Sequence, residues 1–332
     1  MTTDYALCRD GVALFDLSTE SRFSVSGPAA ETALNALTTI DVSSLRPWRG
    51  KMALFLAPDA SIIALATIFR ADACFYIFAE ATVADRLRAY LGEEIAARGA
   101  TLTDLSLTHC LYSVVGPSAQ EVMIAAAGDD VVGLPFLSGE YNAELGATVF
   151  RMGNTGEFEY RMMADLAQAS GLAARLCEHG ASFGIAPVAA EVMKTLLLEM
   201  RALSHNDIPV DTSPLEAGVH WMVNFRKEQP VAAAALHQSK AAPRTRCVAV
   251  TIEGVDAALP GNSRLLIEDQ DVGVLASSEY SQALGKYVGV AYVAPEFGWV
   301  GVSFVAHTPT GGHVVVRAVS APMLVTKTAK RA

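Results

Sequence analysis

An α+β fold, two related modules followed by an all-β module, is what this 332-residue sequence predicts. Three observations carry the prediction. A strand, a Gly-Pro break and a helix follow one another twice, about 90 residues apart, too few and too large to be solenoid repeats. Between the two copies lies a run of hairpin strands closed by a helix. From Arg246 onward the pattern changes to short strands separated by turns, the spacing of a small barrel or sandwich. The chain is roughly twice a typical domain length, enough to give each module a core.

In the first copy, Arg22–Ser26 alternates with period two, Gly27-Pro28 interrupts it, and Ala29–Leu37 has helical spacing. Strands at Ala53–Ala57, Ile62–Phe69 and Cys74–Ala79 follow, then a helix from Ala84 to Ala97. In the second copy the strand is Leu111–Val115, the break Gly116-Pro117 and the helix Ser118–Ala127. A strand pair, Ala147–Arg151 and Phe158–Met163, leads to helices at Ala164–His179 and Val188–Leu203. The last region offers strands at Cys247–Ile252, Arg264–Glu268, Gly273–Ser278, Val288–Val293 and His313–Val319, joined to the rest by Lys240–Pro243.

Composition removes several classes of function. The mean hydropathy is +0.31, but the apolar residues are dispersed and form no run of about 18, so no membrane span is expected. The start, with Asp4 and Asp10 and no apolar run, does not read as a secretory signal, and a cytoplasmic location is expected. A net charge of −10 argues against a nucleic-acid partner. The cluster Lys327, Lys330 and Arg331 reads as a solvated end. The five cysteines are never arranged as C-x-x-C, and Cys177 and His179 point apart on a helix by about 200°, so neither a disulfide framework nor a metal site is expected.

Five blocks then occur in a fixed order. They are Gly11–Ser18 with Phe23–Pro28, Val115–Ala119, Arg151–Glu159, Ser213–Gly218 and Leu284–Lys286. Together they resemble the glycine-cleavage T-protein (aminomethyltransferase) family over nearly the whole chain. The resemblance implies a three-module cloverleaf with tetrahydrofolate in a central funnel. Its modules are expected at 1–45 with 138–240, at 46–137, and at 244–332, the last a β-barrel.

Alternation in Phe158–Met162 puts Phe158, Tyr160 and Met162 on one face and Glu159 with Arg161 on the other. From pattern alone that second face is either a solvated ion pair or a binding surface. The resemblance matches Glu159 to the carboxylate that accepts hydrogen bonds from pterin N–H groups, for which two acceptor oxygens suit it. The glycines of Arg151–Gly156 allow positive φ and close backbone approach, and the same turn would serve an ordinary hairpin. Asn154 stands where the family carries tyrosine. Trp221 resembles an aromatic near the funnel, with core packing as the alternative, and Tyr280 lies where the family's barrel faces the funnel.

The family's acidic pair is absent: Ala64 and Leu65 occupy its positions, and Met52 replaces a tyrosine. Neither Ala nor Leu binds a proton or balances a cation. Acid–base groups are therefore sought at Ser204–Asp207, where His205 is the candidate proton donor and Asp207 its orienting partner, with a helix-terminal turn as the alternative. Arg201 is the candidate for gripping a substrate carboxylate. The expected activity is tetrahydrofolate-dependent one-carbon transfer, a demethylation of a small methylated donor. Aminomethyl transfer, with or without a lipoyl carrier protein, is one alternative. Another is a non-catalytic folate binder like the family's iron–sulfur auxiliary protein, whose cysteine motif is missing from Asn224–Pro230. A third is a repurposed pocket holding a different ligand.

Overall fold

A computed structural model describes residues 3–227, 231–308 and 311–331. Its strands form two open sheets and a closed barrel. The first sheet runs, edge to edge, Ala186–Val188, Ala13–Asp16, His109–Val115, Glu159–Asp165, Ala147–Arg151 and Ser138–Asn142. The second runs Gly50–Leu56, Ile62–Arg70, Cys74–Ala79, Ser21–Ser26 and Thr101–Asp104. Arg246–Ile252, Lys286–Val293, Gln270–Ser281, Ser263–Ile267, Ser303–His307 and His313–Val319 close into the six-stranded barrel.

The two sheets share an apolar layer in which Phe150 meets Phe69 at 4.8 Å and Phe78 at 4.9 Å between ring centroids. Helices cover the far faces. Ala119–Ala127 and Ala169–Gly180 bury Val122, Met123, Leu172 and Leu176 on the first sheet; Ala30–Leu37 and Ala84–Ala97 bury Leu34, Leu87, Leu91 and Ile95 on the second. Each helix presents apolar residues at three- and four-residue spacing, and that stripe supplies most of its stability.

The strand–Gly-Pro–helix repeat is real, but its copies divide the chain elsewhere than at 45 and 137. Ser21–Ser26 pairs with Cys74–Ala79 and Thr101–Asp104, so it belongs to the second sheet; His109–Val115 pairs with Ala13–Asp16 and Glu159–Asp165 in the first. Sheet membership changes near 17–21 and 104–109. Each repeat's strand is internal to a different sheet, which spacing along the chain cannot reveal. At the second break Gly116, φ +140°, lies so close to the backbone of Gly11 that a Cβ would overlap it.

Two helices are shorter than expected. The first starts at Ala169 because Ala164 and Asp165 still pair with Cys110 and His109. The second covers Val192–Met200 and stops at Arg201, whose backbone is left-handed at φ +54°. Unforeseen elements include the helix Asp4–Asp10, capped by Thr3, and the strands Thr101–Asp104, Ser138–Asn142 and Ser303–His307. The basic end keeps its Lys327 and Lys330 side chains exposed while its backbone is docked: Glu157 accepts from the backbone N–H groups of Lys327 and Thr328 at 3.2 and 2.9 Å, and Lys327 pairs with Asp10 at the surface at 2.8 Å. Among the described residues no helix is long and apolar enough to cross a membrane.

Candidate functional site

The site grows from one strand and the turn before it. In Glu159–Asp165, Tyr160 and Met162 face the helices, so Glu159 and Arg161 face the space between the sheets. Thr155, in the preceding turn, donates to Glu159 Oε2 and Ser113, on the neighbouring strand, to Oε1, both at 3.3 Å. Arg161 Nε reaches Glu159 Oε1 at 2.9 Å and its Nη1 reaches Glu20 Oε2 at 2.6 Å. One guanidinium thus holds two carboxylates. Burial works against the charge of Arg161, but Glu20 and Glu159 outweigh it and raise its pKa further. Burial raises the pKa of Glu20, with Arg161 opposing and Glu80 and Glu159 adding to the rise.

Gly153, at φ +148°, lies against this carboxylate; a Cβ there would overlap Glu159 Oε2. The glycine's absent side chain is the space the Glu159 head occupies. A carboxylate accepts about four hydrogen bonds, and the three donors above leave capacity for one N–H group of a ligand, at Oε2.

Glu159 and Arg161 floor a cleft of about 770 Å³. Glu20 and Glu80 supply its other acidic groups, while Met52, Leu65, Phe136, Leu197 and Leu203 make it apolar elsewhere. Two neighbouring hollows, about 410 and 1190 Å³, share Asn154 with it. Of the two residues at the family's acidic positions, Ala64 is fully buried in the second module's core and Leu65 lines the cleft, because adjacent strand residues face opposite ways. The missing carboxylate is therefore a matter of Leu65 alone.

Several expected residues come together here. Asn154 is exposed at the junction of all three hollows. Trp221, 63 % exposed, and Arg201 line the two outer ones. Arg201 Nη2 donates to the carbonyl of Cys247 at 3.2 Å, which leaves most of its fork available. Core packing of Trp221 is excluded by its exposure.

Others do not. Tyr280 lies elsewhere, packed on Tyr287 at 5.2 Å over a separate hollow with Glu253 and Lys286, because the register Tyr280↔Tyr287 sets it at the far end of a barrel hairpin. His205 and Asp207 sit on one 3-10 turn without touching. Asp207 accepts from the backbone N–H of Ser204 at 3.0 Å and from Ser277 Oγ at 2.5 Å, so it caps the turn and ties it to the barrel rather than orienting the imidazole. Burial raises the Asp207 pKa despite these donors. His205 Nδ1 is buried with no hydrogen-bond partner among the described residues, and burial, then Arg86, lowers its pKa. What the turn delivers to the cleft is backbone: the N–H of His205 donates to Glu80 Oε2 at 2.9 Å.

Glu20 and Glu80 were not anticipated. They flank the pair Ser21↔Ala79, so antiparallel register brings them to one end of the second sheet. No local motif marks them. Both also line a second groove, about 1470 Å³, between the modules and the barrel. In the segment after Trp221, residues 228–230 lie outside the described residues. Lys227 caps the preceding module, donating to the carbonyls of Thr38 at 2.7 Å and Ile40 at 3.0 Å, and burial lowers its pKa to about 8.

Two modules around a carboxylate-floored cleft, plus a barrel, define a family of ligand-binding transferases, and sequence comparison says which. The GCVT N-terminal domain family matches residues 1–227 and the glycine cleavage T-protein C-terminal barrel domain matches residues 244–324, so the chain belongs to the glycine-cleavage T-protein family. An aminomethyltransferase of Chlorobium luteolum is 29 % identical over 302 residues, 89 % of this chain and 82 % of its own. One from Streptomyces coelicolor is 27 % identical, over 96 % of this chain and 88 % of its own. The crystal structure of the glycine cleavage system aminomethyltransferase T of Bartonella henselae superposes with a TM-score of 0.90 at 23 % identity, covering 98 % of this chain and 90 % of that one, and so shares the fold.

Proposed function

We propose that this one-carbon transferase binds tetrahydrofolate in the central cleft and passes to it an aminomethyl-derived carbon from a small donor. The observation that carries the reading is Glu159, 4 % exposed, held from three sides, with acceptor capacity turned into the cleft over a glycine. A buried carboxylate with one acceptor site facing open space fits an N–H donor of a pterin edge. Asn154 and Trp221 would flank the ligand, and Arg201 would meet a carboxylate at the mouth. When bound, tetrahydrofolate supplies the nucleophilic nitrogen that accepts the carbon. The protein's own part is to fix Glu159 through Arg161 and to keep water off the reacting face with Met52, Leu65 and Leu203. The name aminomethyltransferase on relatives spanning most of the chain supports this donor class.

One observation favours a second reading. Leu65 supplies no carboxylate at its own position to balance an iminium, which suits methyl transfer from a methylated amine, ether or thioether. Titration with tetrahydrofolate, followed by the fluorescence of Trp221, tests the shared part. Wild type should bind, and Glu159→Gln should bind about 10- to 100-fold more weakly, the worth of about 1.5–3 kcal/mol for a hydrogen bond to a charged group. Wild type that binds no tetrahydrofolate overturns both readings. Single turnover with the aminomethyl thioether of lipoamide, or with methylated amines, then separates them by product: 5,10-methylene- or 5-methyl-tetrahydrofolate.

A further inference from the structure

Glu80, like Glu20, has one bonded and one unbonded carboxylate oxygen, but unlike Glu20 it has no cationic partner among the described residues. It ends the strand Cys74–Ala79 and lines both the central cleft and the second groove. Its Oε2 accepts from Ser204 Oγ at 2.7 Å, from the N–H of His205 at 2.9 Å and from Thr82 Oγ1 at 3.5 Å. None of these bonds goes to Oε1. Glu20 and Glu159 share Arg161, whereas among the described residues no cation forms an ion pair with Glu80. The carboxyl is therefore fixed at one oxygen and free to exchange a proton at the other, beside an apolar wall of Leu65, Met193 and Leu197.

We infer that Glu80 is the proton donor to the leaving atom of the one-carbon donor, performing from the groove side the acid–base role for which Leu65 has no group. The inference rests on the tetrahydrofolate reading above. As the bond from the carbon to its leaving nitrogen or sulfur breaks, the electron pair stays on that atom and the Glu80 proton joins it. The carbon bonds to the acceptor nitrogen, whose proton passes to the Glu80 carboxylate and restores the acid; with an aminomethyl donor the cycle runs once more, the amine leaving as ammonia while the second folate nitrogen bonds the carbon and gives up its proton. Nothing is oxidised or reduced.

The surroundings favour the acid form. Burial raises the Glu80 pKa and the charge of Asp207 adds to it, against the donors Ser204, His205 N–H and Thr82. The other charged or titratable groups facing this space are Glu20 from the adjoining turn, Glu159 and Arg161 from the first sheet, Asp207 from the 3-10 turn, Lys194 from the helix, and Glu279 from the barrel. Lys194 and Glu279 pair with each other at 2.6 Å, and Arg161 is spent on two carboxylates, so no cation is left over for Glu80.

Glu80→Gln keeps the size and acceptor oxygen and removes the proton. In infrared difference spectra between wild type and Glu80→Gln, a carboxylic-acid C=O band should be lost in the variant and should fade in wild type as pH rises through the Glu80 pKa. Tetrahydrofolate affinity should stay within about threefold, while single-turnover transfer from the aminomethyl thioether of lipoamide should fall about 100-fold or more, the worth of a general acid. The alkaline limb of the wild-type rate profile should vanish with it. Ser204→Ala removes one donor to the ionised form, so transfer should persist with that limb moved to higher pH. A brace without acid function would leave the profile in place. The inference is overturned by the absence of a Glu80 band, by transfer in Glu80→Gln with an unchanged pH profile, or by loss of folate affinity in step with transfer. If wild type binds tetrahydrofolate but transfers nothing from this donor, the infrared band decides. Wild type that binds no tetrahydrofolate sinks the underlying reading instead.

Discussion

Two buried Glu–Arg clusters in this molecule are alike in chemistry and differ in what surrounds them. In one, Arg9 grips Glu199 through Nε at 3.0 Å and Nη2 at 2.6 Å, and Tyr5 and Ser281 each donate to the other carboxylate oxygen at 2.6 Å. Arg9 also reaches the carbonyls of Thr155 at 2.7 Å and Leu196 at 3.2 Å. Burial, then Glu199, pushes the Tyr5 pKa up to about 12. In the other, Arg161 holds Glu159 and Glu20 at the floor of a cleft. Burial does not distinguish them, since Glu199 is fully buried and Glu159 nearly so. The first cluster is closed: it clamps the N-terminal helix, the helix Val192–Met200 and the barrel, and none of Tyr5, Arg9 and Glu199 lines any of the hollows described above. The second has acceptors to spare and empty volume beside them. Thr155 belongs to both, its carbonyl to Arg9 and its hydroxyl to Glu159.

Glu199→Ala should break the contrast most severely. It leaves buried Arg9 with only the more distant Glu157, at 3.6 Å, as an anion, a loss of about 3 kcal/mol, read as a large fall in thermal midpoint whether or not folate is present. Gly153→Ala should be milder for the fold and severe for the cleft. The new Cβ displaces the Glu159 carboxylate, and tetrahydrofolate affinity should drop at least about tenfold, about 1.4 kcal/mol, by titration. Wild-type affinity in Gly153→Ala would mean that Glu159 is not the anchor.

Asp207→Asn sharpens the smallest difference. Because burial raises the Asp207 pKa above its ordinary 3.8, folding favours the protonated form. Its cost to the folded state is full above the raised pKa, shrinks as pH falls through it, and is gone below the unfolded value. Denaturant melts from pH 7 to about pH 4 should show wild type gaining on Asp207→Asn as pH falls, by about a kcal/mol or less. A gap independent of pH would contradict the raised pKa.

The parts legible in the sequence were those encoded locally. Alternation alone put Glu159 and Arg161 on one face; one ordered block contains Asn154, Trp221 follows another, and Arg201 was picked out one turn before Ser204–Asp207, and the fold gathers these three around one set of hollows. What depends on register stayed hidden: Glu20 and Glu80 become neighbours only through Ser21↔Ala79, and Tyr280 is carried away from the cleft by its pairing with Tyr287. The expected His205–Asp207 partnership failed for a related reason. A short turn rich in Ser, Asn and Asp spends its side chains on its own backbone first. The sheet boundaries were misplaced because each strand's hydrogen-bonding partners lie far away along the chain.

Residues 64 and 65 carry a consequence for how such a protein changes over generations. Ala64 answers to the core and Leu65 to the cleft, although they are adjacent in the chain. A substitution at 65 alters what the site does to its donor while leaving the packing at 64 untouched. Chemistry can therefore drift at one position under selection for a new substrate while foldability is conserved at the next. The donor side of this family is in that sense separately heritable from its scaffold.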